Sequence, residues 1–155
     1  MSKKAKHKLR QAIARHRSLI KFGGRTDAVN EEWVVKAERA LNRPLPDSYR
    51  WFLREFAGGK IGGDEIYSLY GVPFEKAWGG DIVFRNLFNR EAGLRQDTLL
   101  AICNTTDGKL YFLDYSRYCA GECPVVVRLP SGEQLHYAED FLDFLLKRIA
   151  ECDRA

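Results

Sequence analysis

An α+β architecture, with a mainly antiparallel sheet and helices packed around it, follows from three features of this chain. Apolar residues recur at helical spacing toward both ends, within residues 5–20, 33–41, 49–56 and 141–149. The middle of the chain is instead a series of short segments rich in Val, Ile, Leu, Tyr and Phe. Turn signals separate them, notably Asp107-Gly108, a strong hairpin dipeptide, and Ser131-Gly132. Strands gathered centrally with helices on either side are the mark of this class.

The elements can be taken in order. Ala5, Leu9, Ala12, Ile13, His16, Leu19 and Ile20 gather on one side of a helical wheel, opposite Lys3, Lys4, Lys8, Arg10, Arg15, Arg17 and Lys21. Residues 1–26 are therefore read as a basic amphipathic arm whose helix ends near Gly23-Gly24, and residues 27–155 as a single domain. The stripe lacks Trp and Phe, so it is expected to pack on the parent domain rather than enter a membrane. Asn30 caps the next helix, with Glu31 and Glu32 placed to complement its N-terminus. Pro44 and Pro46 stop it, since proline lacks the donor and restricts its predecessor. Asp47 is read as the cap of a second helix with Tyr49, Phe52, Leu53 and Phe56 on one stripe, which Gly58 and Gly59 end.

Residues 65–70 alternate as a strand, and 71–80 form a loop around Pro73 and Trp78-Gly79-Gly80. Asp81 caps a helix predicted over 82–91, ending at Gly93. Strands follow at 99–103, 109–114, 124–129 and 134–137. A last helix buries Phe141, Leu142, Leu145, Leu146 and Ile149.

The order of these signals, a helix, a Leu-Pro corner, a Tyr-Arg-x-Phe-Leu helix and a Gly-Gly stop, resembles the SUKH superfamily, the Smi/Knr-like homology group. Glu38, Leu41, Leu45, Pro46, Asp47, Tyr49, Arg50, Phe52, Leu53, Gly58 and Gly59 carry the match. The 65–70 strand, the 104–114 hairpin, the 124–127 run and the closing 141–145 helix extend it over roughly residues 28–150. The signature positions are mostly helix-packing residues, so they imply a fold rather than a site. Glu38 is the polar exception and is assigned a structural hydrogen bond. The resemblance implies a protein-binding scaffold. Bacterial members are commonly immunity proteins that bind and neutralise a cognate toxin, often a nuclease. The alternative is a regulatory interaction module of the Smi/Knr type, linked to cell-wall signalling.

Composition and charge bound the function. At 155 residues and 45% hydrophobic, the chain can bury about 70% of its unfolded surface in one core. It has no apolar run of membrane-spanning length and no signal-peptide core, so the expected location is the cytoplasm. Four cysteines then read as reduced thiols. Cys119 and Cys123, spaced C-x3-C with His136 the one histidine outside the arm, fall short of a four-ligand zinc site, and no metal or cofactor is expected. Nine of the 25 Lys and Arg lie in residues 1–26, which hold no acid; the remainder therefore carries 16 cations against 21 acids. A basic arm is attached to a mildly acidic body.

Nothing assembles a catalytic centre. The run Gly58-Gly59-Lys60-Ile61-Gly62-Gly63 follows a helix, whereas a phosphate loop follows a strand and opens one, so it is read as a helix stop and turn. His136 has no accompanying nucleophile signature. Asp64-Glu65 and Glu139-Asp140 are adjacent pairs, and neighbouring strand residues point to opposite faces. The arm could contact phosphates, but without a stacking platform or zinc finger a nucleic-acid partner is disfavoured. The expected partner surface is instead acidic and aromatic: Asp64, Glu65, Trp78 and Asp81 around the 64–81 strand and loop. Trp51 joins them because it lies off the apolar stripe of its helix; a second layer, possibly the arm, is its alternative neighbour. Tryptophan suits a binding anchor because it buries much area while keeping one polar group.

Overall fold

A computed structural model of the chain describes residues 1–88 and 98–154. Among the described residues four α-helices, α1 (Lys3–Arg15), α2 (Glu31–Leu41), α3 (Asp47–Phe56) and α4 (Phe141–Arg154), accompany a seven-stranded sheet. Its strands are β1 (Ile20–Phe22), β2 (Gly59–Ile61), β3 (Asp64–Ile66), β4 (Leu99–Asn104), β5 (Leu110–Asp114), β6 (Val125–Arg128) and β7 (Gln134–Ala138). They lie in sequence order, and each pairs antiparallel with the next, as the α+β reading requires. Asp81 starts a helical segment whose residues Phe84–Phe88 form a π-turn; the predicted continuation over 89–91 and its stop at Gly93 lie outside the described residues.

Two short strands depart from the sequence reading. The helix of the arm stops at Arg15, where the His16 N–H bonds to the Ala12 and Ile13 carbonyls. Leu19 and Ile20 continue the helical spacing, yet Ile20 pairs with Ile61, Lys21 with Lys60 and Phe22 with Gly59. The 58–63 glycine run is thus a helix stop followed by a strand and a hairpin, rather than a stop and turn alone. Gly59 makes the pairing possible: a Cβ there would lie 1.9 Å from the Lys21 carbonyl oxygen, so the two backbones approach only at glycine.

The corner between α2 and α3 is held by side chains. Asn42 closes α2 in the left-handed conformation at φ 55°, and Glu38 Oε2 accepts the Leu45 N–H at 2.7 Å. Asp47 does not cap α3: it is the first helical residue and accepts from Arg50 at 2.8 Å. That work falls to Glu122, whose carboxylate accepts the Ser48 N–H at 3.0 Å and the Ser48 hydroxyl at 2.6 Å.

Aromatic rings run continuously through the core. Phe22 meets Phe52 at 5.3 Å, Phe52 meets Phe141 at 5.2 Å, Phe141 meets Phe144 at 5.6 Å, and Phe144 meets Tyr111 at 5.2 Å. The seam joins β1, α3, α4 and β5. Beside it lies a buried ion pair: Arg148 Nη2 is 3.1 Å from Asp64 Oδ2, and Asp64 Oδ1 accepts the Thr106 N–H at 3.1 Å. Arg148 also donates to Glu151 at 3.0 Å and lies over the Tyr111 ring.

The arm packs on α4. Leu9 is fully buried, and His16 Nδ1 approaches Asp153 at 3.4 Å. Arg10 leaves the solvent-facing row of cations and donates to Glu55 at 3.1 Å. Arg25 clamps the same carboxylate with bonds of 2.7 and 3.0 Å.

Two outcomes test these contacts. Asp64→Ala removes the buried counter-charge of Arg148 and leaves it only the half-exposed Glu151, which should destabilise the domain by about 2–4 kcal/mol in urea titrations. Glu55 is held below the ordinary carboxylate value of 4.5, first by the Arg25 hydrogen bond, with burial opposing. Its contribution is therefore present above pH 4.5 and lost as pH falls through the lowered folded value. Thermal melts should show Glu55→Gln less stable than wild type at neutral pH, with the two curves converging in acid.

Candidate functional site

The 67–81 segment is folded from within by Asp81. This carboxylate has no exposed surface; Oδ1 accepts the Phe84 N–H at 2.9 Å and Oδ2 accepts the Tyr70 N–H at 3.1 Å. Burial raises its pKa, against the N–H bonds from Phe84, Tyr70 and Val83 that favour the charged form. The loop closes through Ser68, whose N–H bonds to Gly80 O at 2.9 Å and whose carbonyl accepts from Ile82 at 2.7 Å. Asp81 is accordingly a helix-starting residue, and it does not lie on the partner surface as expected: it supports that surface from beneath.

On that frame stands an aromatic pair. The Tyr70 ring meets Trp78 edge-on at 5.3 Å. The Tyr70 hydroxyl donates to Glu65 Oε2 and accepts the Gly80 N–H at 2.8 Å. Burial, followed by the Glu65 bond, raises the Tyr70 pKa, so this hydroxyl stays a proton donor. Trp78 is 60% exposed, held by a ring contact on one side.

Opposite the pair, residues 57–59 form the second wall. The Gly58 N–H bonds to Phe56 O at 2.6 Å across Ala57, whose φ of 63° and ψ of −41° describe a rare, strained three-residue turn. Gly23 N–H to Gly58 O, at 3.1 Å, ties the 23–29 loop to this wall. An open groove of about 430 Å³ lies between, with Asp27, Glu65, Ser68, Tyr70 and Trp78 among its lining residues.

Three of the five sequence-predicted partner residues are therefore internal. Trp51 is 4% exposed. The arm covers it: Lys6 Nζ lies 5.4 Å and Arg10 Cζ 5.3 Å from its ring centroid. Its place off the stripe of α3 reflects this second layer. Asp64 is taken up by Arg148, and Asp81 by backbone amides. Glu65 and Trp78 alone meet at the groove. Sequence reasoning missed Tyr70, Ser68 and Asp27 there. Alternation marked Ser68 and Tyr70 as one face of a strand, but no local signal links Asp27 to it.

Elsewhere the chemistry is quiet. His136 Nε2 lies 3.0 Å from Glu139 on the exposed face of β7. Cys103 and Cys123 are buried, and burial pushes both thiols up to about 12. Among the described residues, no group of three His, Cys, Asp or Glu side chains could hold a metal ion. No described helix is long and apolar enough to cross a membrane.

The sequence pattern of the SMI1 / KNR4 family (SUKH-1) matches residues 28–147. That span runs from the loop before α2 into α4 and takes in Glu65, Ser68, Tyr70, Trp78 and Asp81; α1 and β1 precede it. With most of its length and the whole of its central sheet from β2 to β7 inside the match, the chain belongs to the SMI1 / KNR4 family (SUKH-1).

Proposed function

We propose that this chain is a non-catalytic protein-binding domain acting in the cytoplasm as an immunity protein, one that binds and neutralises a cognate bacterial toxin. The observation that carries the reading is Trp78. A large aromatic side chain is held in solvent by a framework of satisfied buried groups, with Glu65 beside it. An anchor ordered before binding loses little freedom on association, and that is the property of an interface hot spot. Family membership supports a protein-interaction domain. The partner surface is accordingly Trp78 with Glu65, and Asp81 fixes their loop.

A second reading has its own observation. Lys4, Lys8 and Arg15 lie along the exposed side of α1, and none forms an ion pair among the described residues. This face suits an acidic protein partner of a regulatory module, recruited through the arm.

One experiment separates the readings. The neighbouring reading frame is sequenced, the C-terminal toxin domain that the immunity reading expects there is co-expressed with the chain, and growth is scored. Wild type should restore growth, and Trp78→Ala should weaken the purified complex by about 2 kcal/mol or more while its melting temperature stays close to wild type. Full protection by Trp78→Ala, with protection lost on reversing Lys4, Lys8 and Arg15, would transfer the interface to the arm.

A further inference from the structure

We infer that the groove beside Trp78 receives an arginine side chain presented by a protein partner. The assignment rests on the protein-binding reading and adds the chemistry of the guest. Its first support is a hydroxyl that opens into the groove without a protein partner. Ser68 is 5% exposed, its hydroxyl forms no hydrogen bond among the described residues, and it lines the groove. Gly58 leaves that hydroxyl open: a Cβ at Gly58 would lie 2.6 Å from Ser68 Oγ. Its two lone pairs face the groove and can accept a hydrogen bond from a guest.

The second support is charge. Glu65 and Asp27 line the same groove. Glu65 faces Lys60 in strand register, yet makes no ion pair with it and turns to Tyr70 instead. Tyr70 holds one carboxylate oxygen of Glu65, which leaves the other for a guest. Asp27 is likewise engaged at Oδ2 alone, by the Gly24 N–H at 2.9 Å. The third support is the exposed Trp78 ring, whose face attracts cations. A guanidinium satisfies all three: it stacks on an aromatic face and carries five N–H donors for separate acceptors. An ammonium is a more strongly hydrated point charge and suits the aromatic wall less well.

The test uses the intact protein and isotope-edited spectra of the Trp78 indole N–H, assigned with Trp78→Phe. N-acetyl-arginine amide is titrated against its neutral isostere N-acetyl-citrulline amide and against N-acetyl-lysine amide. The arginine probe should give a saturable shift, with citrulline at least about tenfold weaker and lysine between them. Glu65→Gln keeps an acceptor for Tyr70 while removing the charge; it and Ser68→Ala should each weaken the arginine response several-fold at unchanged melting temperature. Equal responses to arginine and citrulline, or no saturable response, would overturn the assignment, as would indifference of the response to both substitutions. A saturable, charge-dependent arginine response in a chain that fails to neutralise the neighbouring toxin would uphold the groove and remove the immunity reading alone.

Discussion

The packing of α4 against the sheet through the aromatic seam is the interaction on which the remainder of the structure rests. Each ring pair adds about 0.5–1.5 kcal/mol beyond the area it buries. The run from Phe22 through Phe52, Phe141 and Phe144 to Tyr111 reaches from the first strand to the fifth. Apolar packing alone tolerates sliding. The Arg148–Asp64 pair does not, because a displaced β3 would separate two buried opposite charges. Fixing Asp64 toward α4 also fixes its neighbour. Adjacent strand residues face opposite ways, so Glu65 is aimed at the groove by the same contact that holds Asp64 in the core. Core geometry and site geometry are thus two sides of one three-residue strand.

The groove itself is built from groups that would be costly to bury unless satisfied. Asp81 is internal, and its carboxylate is tolerable there because backbone amides surround it. Tyr70 is fixed at its amide by Asp81 and at its hydroxyl by Glu65 and Gly80. The loop carrying Trp78 is therefore ordered by polar bonds together with the burial of Leu69 and Ala77 and the packing of Phe74 on Trp33. This division suits a family whose members share a scaffold: the core specifies the shape, and a polar frame presents a small number of adaptable side chains.

Much of the scaffold was legible because its signals are local. Asp107-Gly108 marks the β4–β5 hairpin, the Leu45-Pro46 corner separates α2 from α3, and Glu38 was assigned the structural bond it makes. β1 and β2 escaped detection for opposite reasons. Ile20 continues the apolar spacing of α1, while Gly59 lies in a run that reads as punctuation. Three residues are too few to establish a period of two, and the pairing that makes them strands lies some 40 positions away in the chain. The candidate site was less legible still. Asp64 and Asp81 look solvated in sequence because carboxylates usually are, and the partners that bury them are a distant arginine and backbone amides. Trp51 is hidden by a helix that begins more than 40 residues before it.

β1 has a bearing on the solution behaviour of the molecule. Without it, β2 would be the margin of an open sheet, offering unpaired amides and carbonyls to any extended chain. With it, the margin is three residues long, and Lys21 stands exposed directly beside Lys60. Two like charges side by side cost a little stability within the sheet, and they repel a second copy that would extend it. The N-terminal segment thereby blunts this edge of the sheet against edge-to-edge pairing.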